Sequence, residues 1–445
     1  MGTIKSSDTH RRLRWARKIR FIFSVLTLVT TFGAGPILGA IRQNGSPQRF
    51  RATKGLNANF GLSGQPVHWI FHAHGSISSS PLIVKDNVYI ASNGHRVYDL
   101  NINNGDIIWK YHALDEVMTQ PLYAGSVVII ATGNAKVAAY RPMNEIILGV
   151  GINEIVGLSV KDGNAVWSLG LAGTGMPTGI IVNHIFYHID GSGEIVAVRA
   201  NSGRYLWRRN VASTAFMTAI NYRHELFYTA GTWPNRVIAF NSRGHIVWTH
   251  EFSKRFSGFS DGPLALSNGQ LYGVYMENTP SETYVSDLQP AIQHVYALSL
   301  KSGLLRWDVP IASGIVPPFN MSAIPLAIHN LVIVGSPLSP YLSAINTQNG
   351  RLQWRLKVGG PVKNGPVETH GTIYFGDLHG DIFAVNEQTG TPVGCIHFAD
   401  IFNVGSGAIA RHTLIIGSGA GRVYAIPLAT IRSSHECTGS VVNLR

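Results

Sequence analysis

A single carboxylate in a run of small polar residues offers the most distinct chemistry in the chain. Asp261 lies in Ser257-Gly-Phe-Ser-Asp-Gly-Pro263, just after Lys254 and Arg255. A carboxylate of this kind can shuttle a proton or attack as a nucleophile. Lys254, Arg255 and Lys363 can hold a doubly charged anion through charge-assisted hydrogen bonds. Asp261 stands two residues before a proline. Counted back from other prolines, the same place holds Ser79, Thr119 and Asn364, with Thr218 and Ser406 near equivalent places and Ser322 three before Pro325. The set is hydroxyl and amide apart from one acid. It is expected to ring a central channel, with Asp261 catalytic and Lys254, Arg255, Lys363, Asn364 and Thr119 binding substrate. The competing role for Asp261 is an Asx turn before Gly262 that caps a strand.

Other residues are weighed against structural roles. His72 and His74 flank a strand start and can bind anions when charged, or serve as ordinary edge residues. Asp377, His379 and Asp381 alternate around Gly380 in a metal-like pattern. They fall where a hairpin turn demands Asp and Gly, so no metal site is expected. The only two cysteines, Cys395 and Cys437, form either a disulfide tying down the C-terminal segment or two buried thiols. There is no CxxCH for covalent haem and no CxxC metal pair.

What positions these residues is a repeat. Gly105, Gly163, Gly203, Gly244, Gly303 and Gly350 are each followed four residues later by tryptophan, namely Trp109, Trp167, Trp207, Trp248, Trp307 and Trp354. Gly64 to Trp69 is a looser first copy, and Gly390 to Gly394 is a last copy without its Trp. Between copies run short segments rich in Val, Ile, Tyr and Phe, such as Val127-Val-Ile-Ile-Ala131 and Ile195-Val-Ala-Val198, bounded by Gly, Asn, Asp and Ser. These read as antiparallel strands, about four per unit. Four-stranded units repeated roughly every 40 to 60 residues predict an all-β, eight-bladed propeller. The Trp is expected to fill the wedge between blades. Two insertions, Arg141–Ile155 and Glu277–Ile292, break the pattern and are expected to lid the channel or meet another subunit.

Bulk composition narrows the partners. Of 445 residues, 45% are apolar and only 13% charged, with 24 Asp plus Glu against 36 Lys plus Arg and a net charge of +12. Past the N-terminus the cations are scattered, so nucleic acid is not an expected partner. Few carboxylates limit the ion pairs that acid would break. The sparse charge therefore reads either as acid adaptation or as an ordinary exported β protein.

Residues 11–20 are dominated by Arg and Lys, and residues 21–40 are uncharged and apolar. Residues 1–40 thus read as an export signal ending near Ala40, with an uncleaved anchor as the alternative. Residues 41–60 read as a linker, 61–428 as one propeller domain and 429–445 as a C-terminal tail.

The pattern Asp/Asn/Ser-x-Gly-x-x-x-Trp, the later Pro and the Ala-hydrophobic pair of the next strands resemble the PQQ-type quinoprotein β-propeller repeat. That resemblance implies one of three functions. Quinone-dependent dehydrogenases carry a vicinal Cys-Cys and an acidic calcium site, which this chain lacks; no cofactor is expected. Outer-membrane assembly factors are scaffolds without chemistry, and this is the alternative reading. Tetrathionate hydrolases are exported, acid-adapted propellers with a catalytic Asp. They are the preferred reading and imply hydrolysis of an S–S bond in a sulfur oxyanion, with Asp261 in the catalytic role. The expected partner is a small anionic substrate, with an outer-membrane or envelope protein or a second copy of the chain as alternatives. The expected location is the periplasm, the cell surface or the outer membrane.

Overall fold

The computed structural model describes residues 67–134, 149–211, 218–231, 236–252, 256–259, 263–278, 290–316, 323–437 and 439–442. Within them the chain folds into eight antiparallel sheets, the blades of an eight-bladed β-propeller. Blade 1 shows the plan: Leu82–Val84 innermost, then Asn87–Ser92, Arg96–Asn101 and Ile107–His112 outermost. The middle strands are buried on both faces, which explains their unbroken apolar runs (Val127–Ala131 is buried at every residue). The outermost strands alternate, with Trp109 buried between exposed neighbours, as expected of a half-covered sheet.

Blade 8 closes the ring. Its inner three strands, Ala408–Ala410, Thr413–Gly417 and Arg422–Pro427, come from the C-terminal end. Its outermost strand is Trp69–His72, which pairs Trp69 with Ala425. Joining the first and last strands in one sheet leaves no long open edge.

The Gly-x-x-x-Trp repeat locks each blade to the next. Trp109 of blade 1 sends its indole N–H to the carbonyl of Val160 in blade 2, at 3.1 Å, and Trp354 of blade 6 does the same to Glu387 in blade 7, at 2.9 Å. The ring then lies against the turn glycine of that next blade. A Cβ on Gly163 would stand 2.5 Å from Trp109, and one on Gly390 2.5 Å from Trp354. Both glycines also have φ near +70°, where side chains are strained. Glycine is therefore required twice over, by conformation and by contact.

The copy without Trp has its own solution. Gly394 packs against the backbone of a short helix, Leu428–Ser433, which fills the place that a tryptophan takes elsewhere. Beside it Cys395 and Cys437 are joined in a disulfide. Further on, Val441 pairs with Leu356 of blade 6. The described residues after 428 are thus packed along blades 6 to 8.

Part of the second insertion extends blade 5. Its long strands Gln270–Asn278 and Pro290–Ser299 pair Glu277 with Ile292 and Asn278 with Ala291. Residues 279–289 and 135–148, the latter including 141–148 of the first insertion, lie outside the described residues. No helix among the described residues is long and apolar enough to cross a membrane, and the apolar stretch 21–40 lies outside them.

Candidate functional site

The innermost strands converge on a central cavity of about 450 Å³. Its wall comes from seven blades, at or just before each innermost strand. Ser80, Gln120, Thr178, Ala219, Ile324 and Ser406 are its recurring contributors. Several of these also fasten blade to blade. The Ser406 amide donates to Ser80 Oγ at 2.8 Å, joining blades 8 and 1, and the Gln120 amide donates to Thr178 Oγ1 at 3.1 Å, joining blades 2 and 3. The described lining contains hydroxyls, amides, two methionines and small apolar groups, and no titratable side chain. Such a wall offers neutral donors to an anion at little desolvation cost.

At Ser79, Thr119 and Asn364 the expected ring is displaced by one residue, whereas Ser406 lines the cavity as expected. Thr119 and Asn364 are buried and turn into their own blades. Thr119 Oγ1 donates to the Ala131 carbonyl and accepts from the Ala131 amide, both at 3.1 Å. Asn364 accepts from the Gly376 amide at 3.1 Å and donates to the Gly405 carbonyl at 2.8 Å. Ser79 borders the cavity, yet its hydroxyl points to the Ala91 carbonyl at 3.4 Å. In each copy the side chain reaches the residue twelve positions on, in the next strand. The residue after it, such as Ser80 or Gln120, faces the channel. The cause is the strand pleat, which turns successive side chains to opposite sides. Replacing Thr119 with Val leaves the Ala131 amide and carbonyl without that partner. It is expected to cost about 1–3 kcal/mol, read as a lower melting temperature.

Lys363 is enclosed at the start of blade 7, only 4% exposed. Asp261, Lys254 and Arg255 lie outside the described residues, as do the side chains of 256–259. Pro263, two residues after Asp261, lines the cavity. His72 ends the outermost strand of blade 8, exposed to solvent. The His74 amide donates to the Tyr98 hydroxyl at 3.0 Å. Asp377 accepts three backbone N–H bonds, from Gly360, His379 and Asp381. Burial is the larger influence on it and holds its carboxyl above the usual range.

Several buried acids escaped the sequence reading, among them Asp115, Glu154, Asp190, Glu387 and, in a repeat position, Asp99. Asp99 stands in Val97-Tyr-Asp-Leu100, where the matching strands of other blades carry Ala, as in Ile195-Val-Ala-Val198, or Gly157 in blade 2. Aligning the repeats column by column would have revealed it.

Residues 62–226, 151–393 and 291–430 match the PQQ_2 family, described as "Outer membrane protein assembly factor BamB". The chain belongs to this PQQ-like propeller family. Among PQQ-like relatives, it is 26% identical over 366 residues to a tetrathionate hydrolase of Acidithiobacillus ferrooxidans, covering 79% of this chain and 72% of that one. It is 28% identical over 180 residues to the outer membrane protein assembly factor BamB of Moranella endobia, covering 36% of this chain and 46% of that one. The crystal structure of BamB from Moraxella catarrhalis superposes with a TM-score of 0.59 at 18% identity, covering 81% of this chain and 99% of that one, a likeness of fold. The described channel wall has no carboxylate to bind a cation beside a quinone, and both cysteines are bonded to each other at the edge of blade 7.

Proposed function

We propose that this PQQ-like propeller is an exported hydrolase of a sulfur oxyanion, tetrathionate, working in acid. The supporting observation is the length of its similarity to a tetrathionate hydrolase, 79% of the chain against 36% for the BamB relative. The reaction balances as tetrathionate plus water giving thiosulfate, sulfate, sulfur and two protons. Water supplies the new S–O bond of sulfate; of the three S–S bonds, one is kept in the released thiosulfate and two break, which frees the remaining bridging atom as sulfur. In this reading Asp261 takes the proton of the attacking water. In strong acid, where a carboxyl begins protonated, it instead gives its proton to the departing thiosulfate. Lys254 and Arg255 neutralise the terminal sulfonates, while Lys363, enclosed at the start of blade 7, lies outside the described cavity wall. Thr119 and Asn364 serve by holding the channel wall, since their polar atoms are engaged with backbone. Neutral hydroxyls of the wall suit weakly basic sulfonate oxygens.

The test is direct. Purified protein is incubated with tetrathionate in acidic buffer, and thiosulfate release is followed. Absence of turnover across the acidic range rejects the proposal. A second reading, a scaffold for envelope protein assembly, is favoured by the BamB description of the matched family. It expects stable co-purification with an outer-membrane protein and no turnover.

A further inference from the structure

Blade 7 carries a cluster that neither the packing of the propeller nor the proposed hydrolysis uses. The hairpin between strands Thr372–Gly376 and Asp381–Asn386 turns through Asp377-Leu-His-Gly380, and strand Pro392–His397 ends beside it. Asp381 is 2% exposed. Its Oδ2 lies 3.0 Å from His379 Nδ1 and its Oδ1 lies 2.7 Å from His397 Nδ1. The two imidazole rings are 5.3 Å apart. One ligand-capable atom from each of the three residues lies within 4.8 Å of the others.

The surroundings hold this geometry in place. Asp377 gathers the amides of Gly360, His379 and Asp381, so the turn that presents His379 is fixed from beneath. Both histidines keep one side open to solvent, while the carboxylate between them does not. On the carboxylate's other flank runs Gly359-Gly360. A Cβ on Gly359 would stand 2.6 Å from Asp381 Oδ2 and 3.0 Å from His379 Nδ1. The Gly359 backbone therefore approaches the carboxylate and His379 more closely than a residue with a side chain could.

The fold does not demand this composition. Asp381 and His397 are the cross-strand pair at the start of the third strand and the end of the fourth. The same pair is Arg96 with His112 in blade 1, Glu194 with Asn210 in blade 3, Tyr341 with Lys357 in blade 6, and Arg422 with His72 in blade 8. Of these, blade 7 alone opposes a carboxylate to an imidazole, and it adds a second imidazole from the turn.

We propose that His379, Asp381 and His397 bind a divalent transition-metal ion, with zinc(II) as the ion tested. Two imidazole nitrogens and one carboxylate oxygen are a borderline donor set. It suits zinc, nickel or copper and not the all-oxygen preference of calcium or magnesium. Three protein ligands leave a position for water or a small anion. The ion ties the hairpin of blade 7 to the end of its outermost strand.

The experiment uses untagged full-length protein, stripped with a chelator and titrated with zinc chloride at neutral pH by calorimetry. Wild type is expected to show one zinc per chain in its tightest class, unmoved by excess magnesium or calcium, and a melting temperature that rises with zinc. In His379→Ala, and in the His379→Ala/His397→Ala double variant, that class is expected to weaken by at least about 10- to 100-fold, the range already seen when only a supporting partner of a ligand is lost. Both histidines are partly exposed, so the variants fold, which far-UV circular dichroism checks. Zinc binding of equal affinity in wild type and double variant assigns the ion to other histidines and overturns the proposal. So does the absence of any saturable zinc binding.

Discussion

Asp261→Asn is expected to slow tetrathionate hydrolysis by about 10²- to 10⁴-fold, the usual worth of a positioned proton-transfer group, while leaving the melting temperature nearly unchanged. The two readouts separate the two roles available to this residue. By the repeat register, Asp261 stands twelve residues before Gly273, as Thr119 stands before Ala131 and Asn364 before Gly376. A structural role there means an oxygen accepting from backbone. Asparagine does that as well as aspartate, as Asn364 demonstrates in blade 7. What asparagine cannot do is take or give a proton. A catalytic role therefore predicts lost rate at preserved stability, and a purely structural one predicts neither loss. Asp261→Ala adds the complementary case, since it removes both functions and should lower stability as well as rate. Full activity of Asp261→Asn, measured as thiosulfate release under conditions where wild type turns over, would sink the assignment.

The blades were readable in the sequence because the repeat carries its contact at both ends. The Trp of one blade and the turn glycine of the next touch, so the spacing that sets the turn also sets the wedge, as Trp109 with Gly163 and Trp354 with Gly390 show. The channel ring was readable only to within one residue. A proline gives the start of a strand but not the phase of the pleat, and a shift of one residue exchanges Thr119 for Gln120 at the channel wall. The blade 7 cluster was half readable. Asp377, His379 and Asp381 are neighbours in sequence, and the turn reading explains Asp377 fully. His397 joins only through the cross-strand register with Asp381, which local spacing cannot supply. The missing Trp at Gly394 is likewise explained from a distance, by a helix more than thirty residues on.

The acid question raised by composition turns on Asp99. In the alanine column of the repeat, Ala197 faces Trp207 and Ala344 faces Trp354; in blade 1 the residue opposite Trp109 is Asp99. It is fully buried, with the Asn87 amide 2.8 and 2.7 Å from its two oxygens. Burial pushes its carboxyl up to about 7, and the Asn87 bond only partly opposes this. The folded protein therefore keeps this proton over a pH range in which the unfolded chain has released it. The resulting stability is fully present below the ordinary aspartate value near 3.8 and is lost as pH climbs through about 7. Across that window the loss is on the order of 4 kcal/mol. Glu154 and Asp377 are raised by burial in the same sense. His188 works the other way: burial lowers it to about 4, so its contribution is present above the ordinary histidine value near 6.5 and lost as pH falls through about 4. Whole-protein stability sums these opposing slopes, so the variant must be compared with wild type at each pH. Asp99→Asn mimics the protonated acid at every pH. Guanidinium denaturation should find it close to wild type in stability near pH 4 and more stable by several kcal/mol near pH 8. A difference that stays constant with pH would mean that Asp99 is ionised in the folded protein at both, and that its burial favours no proton. If the slope is found, the buried Asp99 of blade 1 favours the acid in which the proposed hydrolysis would run.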